Sequence, residues 1–122
     1  MPVLVDTSVW IDHFRKKEPA LVGLLENGQV LGHPFVRGEL ALGNLPQRHI
    51  LLGLLDNLPQ APVAFDAEIN RFIEANALFG LGIGFVDVHL LASAKLALNA
   101  TLWTRDKRLL AVATRLAMSY QP

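Results

Sequence analysis

The stretch "VLVDTSVWIDHF", residues 3–14, starts apolar, reaches Asp6, and passes through Thr7 and Ser8 into a run with helical spacing. An Asp at the end of a buried strand needs a partner. Asp is rarely buried alone, and its charge is costly to take out of water. Either Asp6 caps the following helix, or it faces a cleft and holds something positive.

Working outward, strand and helix alternate. "PVLVD" reads as a short buried strand. "SVWIDHFRK" reads as a helix with Ser8 as a possible N-cap and Val9, Trp10, Ile11 and Phe14 on its apolar side. "PALVGLLENG" reads as a second helix, begun near Pro19 and stopped at Gly28. A weak strand, "QVLGH", follows. "PFVRGELALG" reads as a short helix and "PQRHILLGLLDNL" as a longer one. "APVAF" fits a strand or an extended link. Asp66 can cap "AEINRFIEANAL", and "VDVHLLASAKLAL" continues as helix. "ATLWT" is a strand, "RDKRLLAVATRL" a helix and "MSYQ" a possible edge strand. This order predicts one domain over residues 1–122, an α/β fold with a mainly parallel sheet.

Composition bounds the chemistry. The 122 residues suffice for a real core, and 52% are hydrophobic, above the usual share. Such an excess fits a dense core or an apolar surface covered by a partner. Eleven Lys and Arg balance eleven Asp and Glu, so any nucleic-acid binding must use a local patch. Cys is absent, which excludes disulfides, thiol catalysis and Cys-based metal sites. The sequence lacks a secretory-signal pattern, and no apolar run approaches the ~20 residues of a membrane span. A cytoplasmic protein without membrane contact is expected.

Most acids have bland explanations. Asp12, Glu18, Glu26, Asp56, Asp66, Glu68 and Glu74 lie on polar helix faces, in turns or near helix starts, where carboxylates are solvated or favoured by the helix dipole. Four differ. Asp6 and Asp106 follow predicted strands, at the rim where open α/β sheets bind ligands. Glu39 interrupts the apolar "FVRGELAL", and Asp87 opens the most apolar helix. Capping alone could explain Asp87 or Asp106. Four carboxylates in one cleft, however, would repel one another unless a cation intervened. Mg²⁺ and Mn²⁺ favour such oxygen ligands and can activate water against a phosphodiester.

Four segments, "VLVDTSVWIDHF", "GHPFVRGELALG", "GIGFVDVHLLASA" and "LWTRDKRL", make the chain resemble a PIN domain, and more narrowly a VapC-type toxin of bacterial toxin–antitoxin systems. The resemblance covers nearly the whole chain. It implies a three-layer α/β/α sandwich and cleavage of RNA dependent on one or two Mg²⁺ or Mn²⁺ ions. It also implies a homodimer and a cognate VapB-type antitoxin. The acidic set it implies, for catalysis and metal, is Asp6, Glu39, Asp87 and Asp106. Thr7, Ser8 and Thr104 match supporting polar positions. In "GLGIGF" the pattern departs, with Leu81 where a basic residue is expected.

Phosphate contact is assigned to Arg105, Lys107 and Arg108 of "RDKR", whereas Arg15, Lys16 and Lys17 read mainly as solvated charge. His89, two residues past Asp87, reads as packing or a structural hydrogen bond, because helix positions two apart do not share a face. His33 precedes Pro34 at a strand end, and His13 and His49 read as surface. Trp10 and Trp103 read as core or interface. "GLGIG" is not a dinucleotide fingerprint, since its spacing is wrong and no strand precedes it. A response-regulator receiver would need an acidic pair at Asp6 and a Lys near the last strand. A haloacid-dehalogenase-like phosphatase would need an Asp where Ser8 stands. The remaining alternative is a non-catalytic PIN-like module that binds RNA or protein.

Overall fold

The computed structural model describes residues 1–98 and 100–122. At its centre lies β1 (Val3–Val5), paired in parallel with β2 (Val30–Leu31) on one side and β3 (Thr101–Trp103) on the other. Leu4 faces Leu31 across one seam and Leu102 across the other. Val3, Leu4 and Val5 are all buried. A strand covered on both faces reads as an unbroken apolar run, which is the parallel-sheet pattern. Single parallel bridges extend the sheet outward, Gly32 to Gln60 beyond β2 and Leu102 to Ser119 beyond β3.

Helices α1 (Thr7–Arg15), α2 (Pro19–Glu26), α3 (Pro34–Leu42), α4 (Arg48–Asp56), α5 (Asp66–Ala75), α6 (Phe85–Leu96) and α7 (Lys107–Arg115) flank the sheet, giving the expected α/β sandwich. Helix α6 is buried continuously from Val88 to Ala94, as befits a helix that is apolar all round. Among the described residues no helix is long and apolar enough to cross a membrane.

Local details depart from the sequence reading. Asp6, not Ser8, occupies the N-cap of α1. The N-cap of α5 is Phe65, whose N–H donates to Glu68 Oε1 at 2.8 Å, so Asp66 lies inside the first turn. Helix α4 is no longer than α3. "APVAF" is an extended link, and "MSYQ" contributes one bridge. Trp10 and Trp103 are core residues. His13 is half-buried and accepts from Glu18 N at Nδ1, 3.0 Å away, so it is structural, whereas His49 is exposed.

His33 is 1% exposed and caps α3. Its Nδ1 accepts from Phe35 N at 3.0 Å, and its Nε2 lies 2.9 Å from Ser93 Oγ. With Nδ1 accepting, the proton belongs on Nε2, donating to Ser93. Burial, aided by the neighbouring His89, pushes the His33 pKa down from 6.5 to about 4. Between these values the unfolded chain binds the extra proton. The stabilisation is therefore complete above pH ~6.5 and is lost as pH falls through ~4, on the order of 3 kcal/mol. His33→Asn keeps an acceptor for Phe35 N. It should flatten the acid limb of chemical-denaturation stability by about one proton between pH 6.5 and 4.

Candidate active site

Asp6 holds the N-cap position of α1, yet its side chain makes no cap hydrogen bond. Its Oδ2 instead accepts from Ser8 Oγ at 2.7 Å and Thr104 Oγ1 at 2.8 Å. Those hydroxyls are fixed in turn. Arg105 N donates to Ser8 Oγ, and Asp106 N donates to Thr104 Oγ1, each at 3.1 Å. Asp6 N donates to Trp103 O at 2.9 Å. The ends of β1 and β3 are thus locked together at the carboxyl rim of the sheet.

The other three acids show the same division of labour. Glu39, on α3, accepts from Thr7 Oγ1 at Oε1, 2.6 Å away. Asp87, in the first turn of α6, accepts from Gly84 N at Oδ2, 2.9 Å away. Asp106 caps α7, its Oδ1 accepting from Arg108 N and Leu109 N, each at 3.0 Å. In every case one carboxylate oxygen is held by a protein donor. Among the described residues the second oxygen has none.

The four acids share a field. Asp87 is half-buried, and desolvation is the main cause that raises its pKa. The Gly84 N–H opposes that rise, while the charges of Asp6, Asp106 and Glu39 add to it. Among the described residues, however, no three His, Asp or Glu side chains form a ready-made metal cluster. The donor set is all oxygen, negatively charged, and has one free oxygen per carboxylate. This fits a hard divalent cation that keeps waters in its remaining positions.

The flanking cations divide. Arg105 is committed to protein, its Nη1 at 2.7 Å from Asp12 and its Nη2 at 2.5 Å from Glu18. The Arg105 guanidinium is the main cause that holds the Glu18 carboxyl below its ordinary pKa. Lys107 and Arg108 are exposed at the start of α7. Arg108 lies over Gly82 (φ +76°), where a Cβ would stand 2.6 Å from Nη1. Gly80 also has positive φ, so "GLGIG" makes a tight turn, and its Gly82 seats the Arg108 side chain. The seat was not legible in the sequence, because a glycine-rich turn does not reveal what packs on it. His89 is buried between the rings of Phe35 and Phe85, centroids 4.7 and 4.8 Å away. Its role is packing, and its Nδ1 has no hydrogen-bond partner among the described residues.

A parallel sheet with acids at its carboxyl rim defines a class, and comparison with known families agrees. The PIN domain model matches residues 3–115, and the chain belongs to that family. Two curated relatives are both called Ribonuclease VapC32, from Mycobacterium tuberculosis strains CDC 1551 / Oshkosh and ATCC 25618 / H37Rv. Each is 50% identical over 107 residues, which cover 88% of this chain and 86% of the relative.

Two outcomes test this geometry. Thr104→Val keeps the shape but removes both the donor to Asp6 and the acceptor for Asp106 N. It should lower folding stability in denaturant titration by about 1–3 kcal/mol. Asp87→Asn keeps an acceptor for Gly84 N and removes a charge that burial and three neighbours disfavour. The metal-free variant should melt higher than its parent at neutral pH.

Proposed function

We propose that this chain is the toxin of a type II toxin–antitoxin pair, a divalent-metal-dependent endoribonuclease. The observation that carries the reading is the set of four carboxylates on one rim, each with one oxygen tied to protein and one free. Family membership and the ribonuclease relatives support it. Asp6, Glu39 and Asp87 would hold Mg²⁺ or Mn²⁺ directly or through water, and Asp106 would complete the shell or serve a second ion. When bound, the ion supplies Lewis-acid chemistry, making water more nucleophilic and offsetting charge on the phosphate.

The protein's own contribution is orientation. Ser8 and Thr104 stop the Asp6 carboxylate from rotating, and Thr7 does the same for Glu39. The four acids repel RNA until a cation offsets them, which makes phosphate binding conditional on metal. Lys107 and Arg108 then offer positive charge beside the cleft. Water adds to phosphorus as the P–O3′ bond breaks, leaving a 5′-phosphate and a 3′-hydroxyl. Asp6→Asn or Asp87→Asn should abolish Mn²⁺-dependent cleavage of single-stranded RNA while the circular dichroism spectrum stays native. Undiminished cleavage by purified Asp87→Asn would remove the acids from the mechanism.

Partners follow from the same reading. Leu42, Ile50, Leu54, Phe65 and Phe79 are all more than half exposed, an apolar surface that suits coverage by other chains. A homodimer accounts for part of it and a VapB-type antitoxin for another part, both in the cytoplasm where the RNA substrate lies. Light scattering of the purified chain at micromolar concentration should give the mass of two chains. The mass of one chain throughout would exclude the dimer.

A further inference from the structure

Six of the eleven Lys and Arg residues fall in two short stretches, "RKK" at 15–17 and "RDKR" at 105–108. Sequence separates these stretches widely, but Arg105 joins them. Its backbone N–H binds Ser8, one hydroxyl away from Asp6. Its guanidinium crosses to Asp12 on α1 and Glu18 just past the turn. The turn is closed further by Glu18, whose N–H donates to His13 Nδ1 and whose Oε1 accepts from Ala20 N.

The pairing sorts the charges. Arg105 offsets Asp12 and Glu18, while Arg15, Lys16 and Lys17 are exposed and form no ion pair among the described residues. Four cations against two carboxylates leave a local excess of two positive charges, in a chain whose net charge is zero. These groups line a depression of about 410 Å³. Arg15 also lines an adjoining depression of about 290 Å³ that reaches Glu39 past Ile11. The basic turn and the acidic rim therefore meet along α1. Eight residue steps of helix place Arg15 about 12 Å from Thr7.

We propose that the turn carrying Arg15, Lys16 and Lys17 is a second RNA-binding element. It holds backbone phosphates on one side of the cleaved bond, with Arg105 as the positioning residue that ties it to the site. The proposal rests on the ribonuclease reading and adds the path of the strand. A zero net charge gives no long-range attraction, so a single strand requires a local positive patch, and the depression that Arg15 shares with Glu39 leads from the acids to this one.

The test is binding of a short fluorescent oligouridylate to an Asp87→Asn parent with Ca²⁺ present, from about 50 to 200 mM salt. Lys16→Gln with Lys17→Gln should weaken binding roughly tenfold and flatten the slope of log affinity against log salt by about 1.4, the value for two lost single-strand contacts. In otherwise wild-type protein the loss should appear in KM rather than kcat, and Mn²⁺ titration should be unchanged. Arg105→Gln should weaken binding by freeing Asp12 and Glu18, and adding Asp12→Asn with Glu18→Gln should restore it. An unchanged salt slope in the double lysine variant overturns the proposal, including the case where the turn serves an acidic protein partner. Failure of restoration overturns the positioning role of Arg105. Absence of Mn²⁺-dependent cleavage by wild type would instead overturn the ribonuclease reading, leaving the binding slope to judge the RNA path.

Discussion

Two consecutive peptide N–H groups, of Arg105 and Asp106, bind the hydroxyls of Ser8 and Thr104, and both hydroxyls donate to one oxygen of Asp6. The rest of the site depends on this lattice. It joins the ends of β1 and β3, leaves the second Asp6 oxygen without a protein donor among the described residues, and starts the turn that makes Asp106 the cap of α7. A hydroxyl has one proton to give. With each hydroxyl already accepting from an amide, its proton is directed to Asp6. The carboxylate is held before any ligand arrives, which is the pre-organisation a site on rigid elements provides.

Charge is arranged around that lattice with equal economy. Asp87 has its pKa raised mainly by burial, and the charges of Asp6, Asp106 and Glu39 add to the rise. The bases sit at the edges of the cleft, on the turn after α1 and on the first turn of α7. Arg105 is the hinge of this arrangement. By pairing with Asp12 and Glu18 it leaves three neighbouring cations unmatched. A residue beside the candidate site thus shapes the electrostatics through acids that would otherwise read as solvated.

Helix starts show how local and tertiary demands compete. Asp106 satisfies both, using one oxygen for its cap and leaving the other free. Asp6 stands in the same position on α1 but gives up capping, because Thr104 and Ser8 claim its held oxygen. His33 acts as a cap from a residue seldom used for one, and it stays neutral to low pH because it is buried. The same local slot therefore serves three purposes, according to what the neighbouring chain brings to it.

The sequence by itself determined the alternation of strand and helix, since apolar runs and helical spacing are local patterns. It also singled out Asp6, Glu39, Asp87 and Asp106 as candidate acids, although helix capping by itself accounts for the placing of Asp87 and Asp106. Their hydroxyl partners were legible only through resemblance to a family. Tertiary structure alone decided the rest. Thr104 meets Asp6 across 98 positions, and Arg105 meets Asp12 and Glu18 across 93 and 87. Short-range spacing carries no information about contacts so distant, and a charged residue in a turn looks the same whether it faces water or another strand. The parallel register of β1 and β3 creates those contacts by bringing the start of the chain beside its last strand.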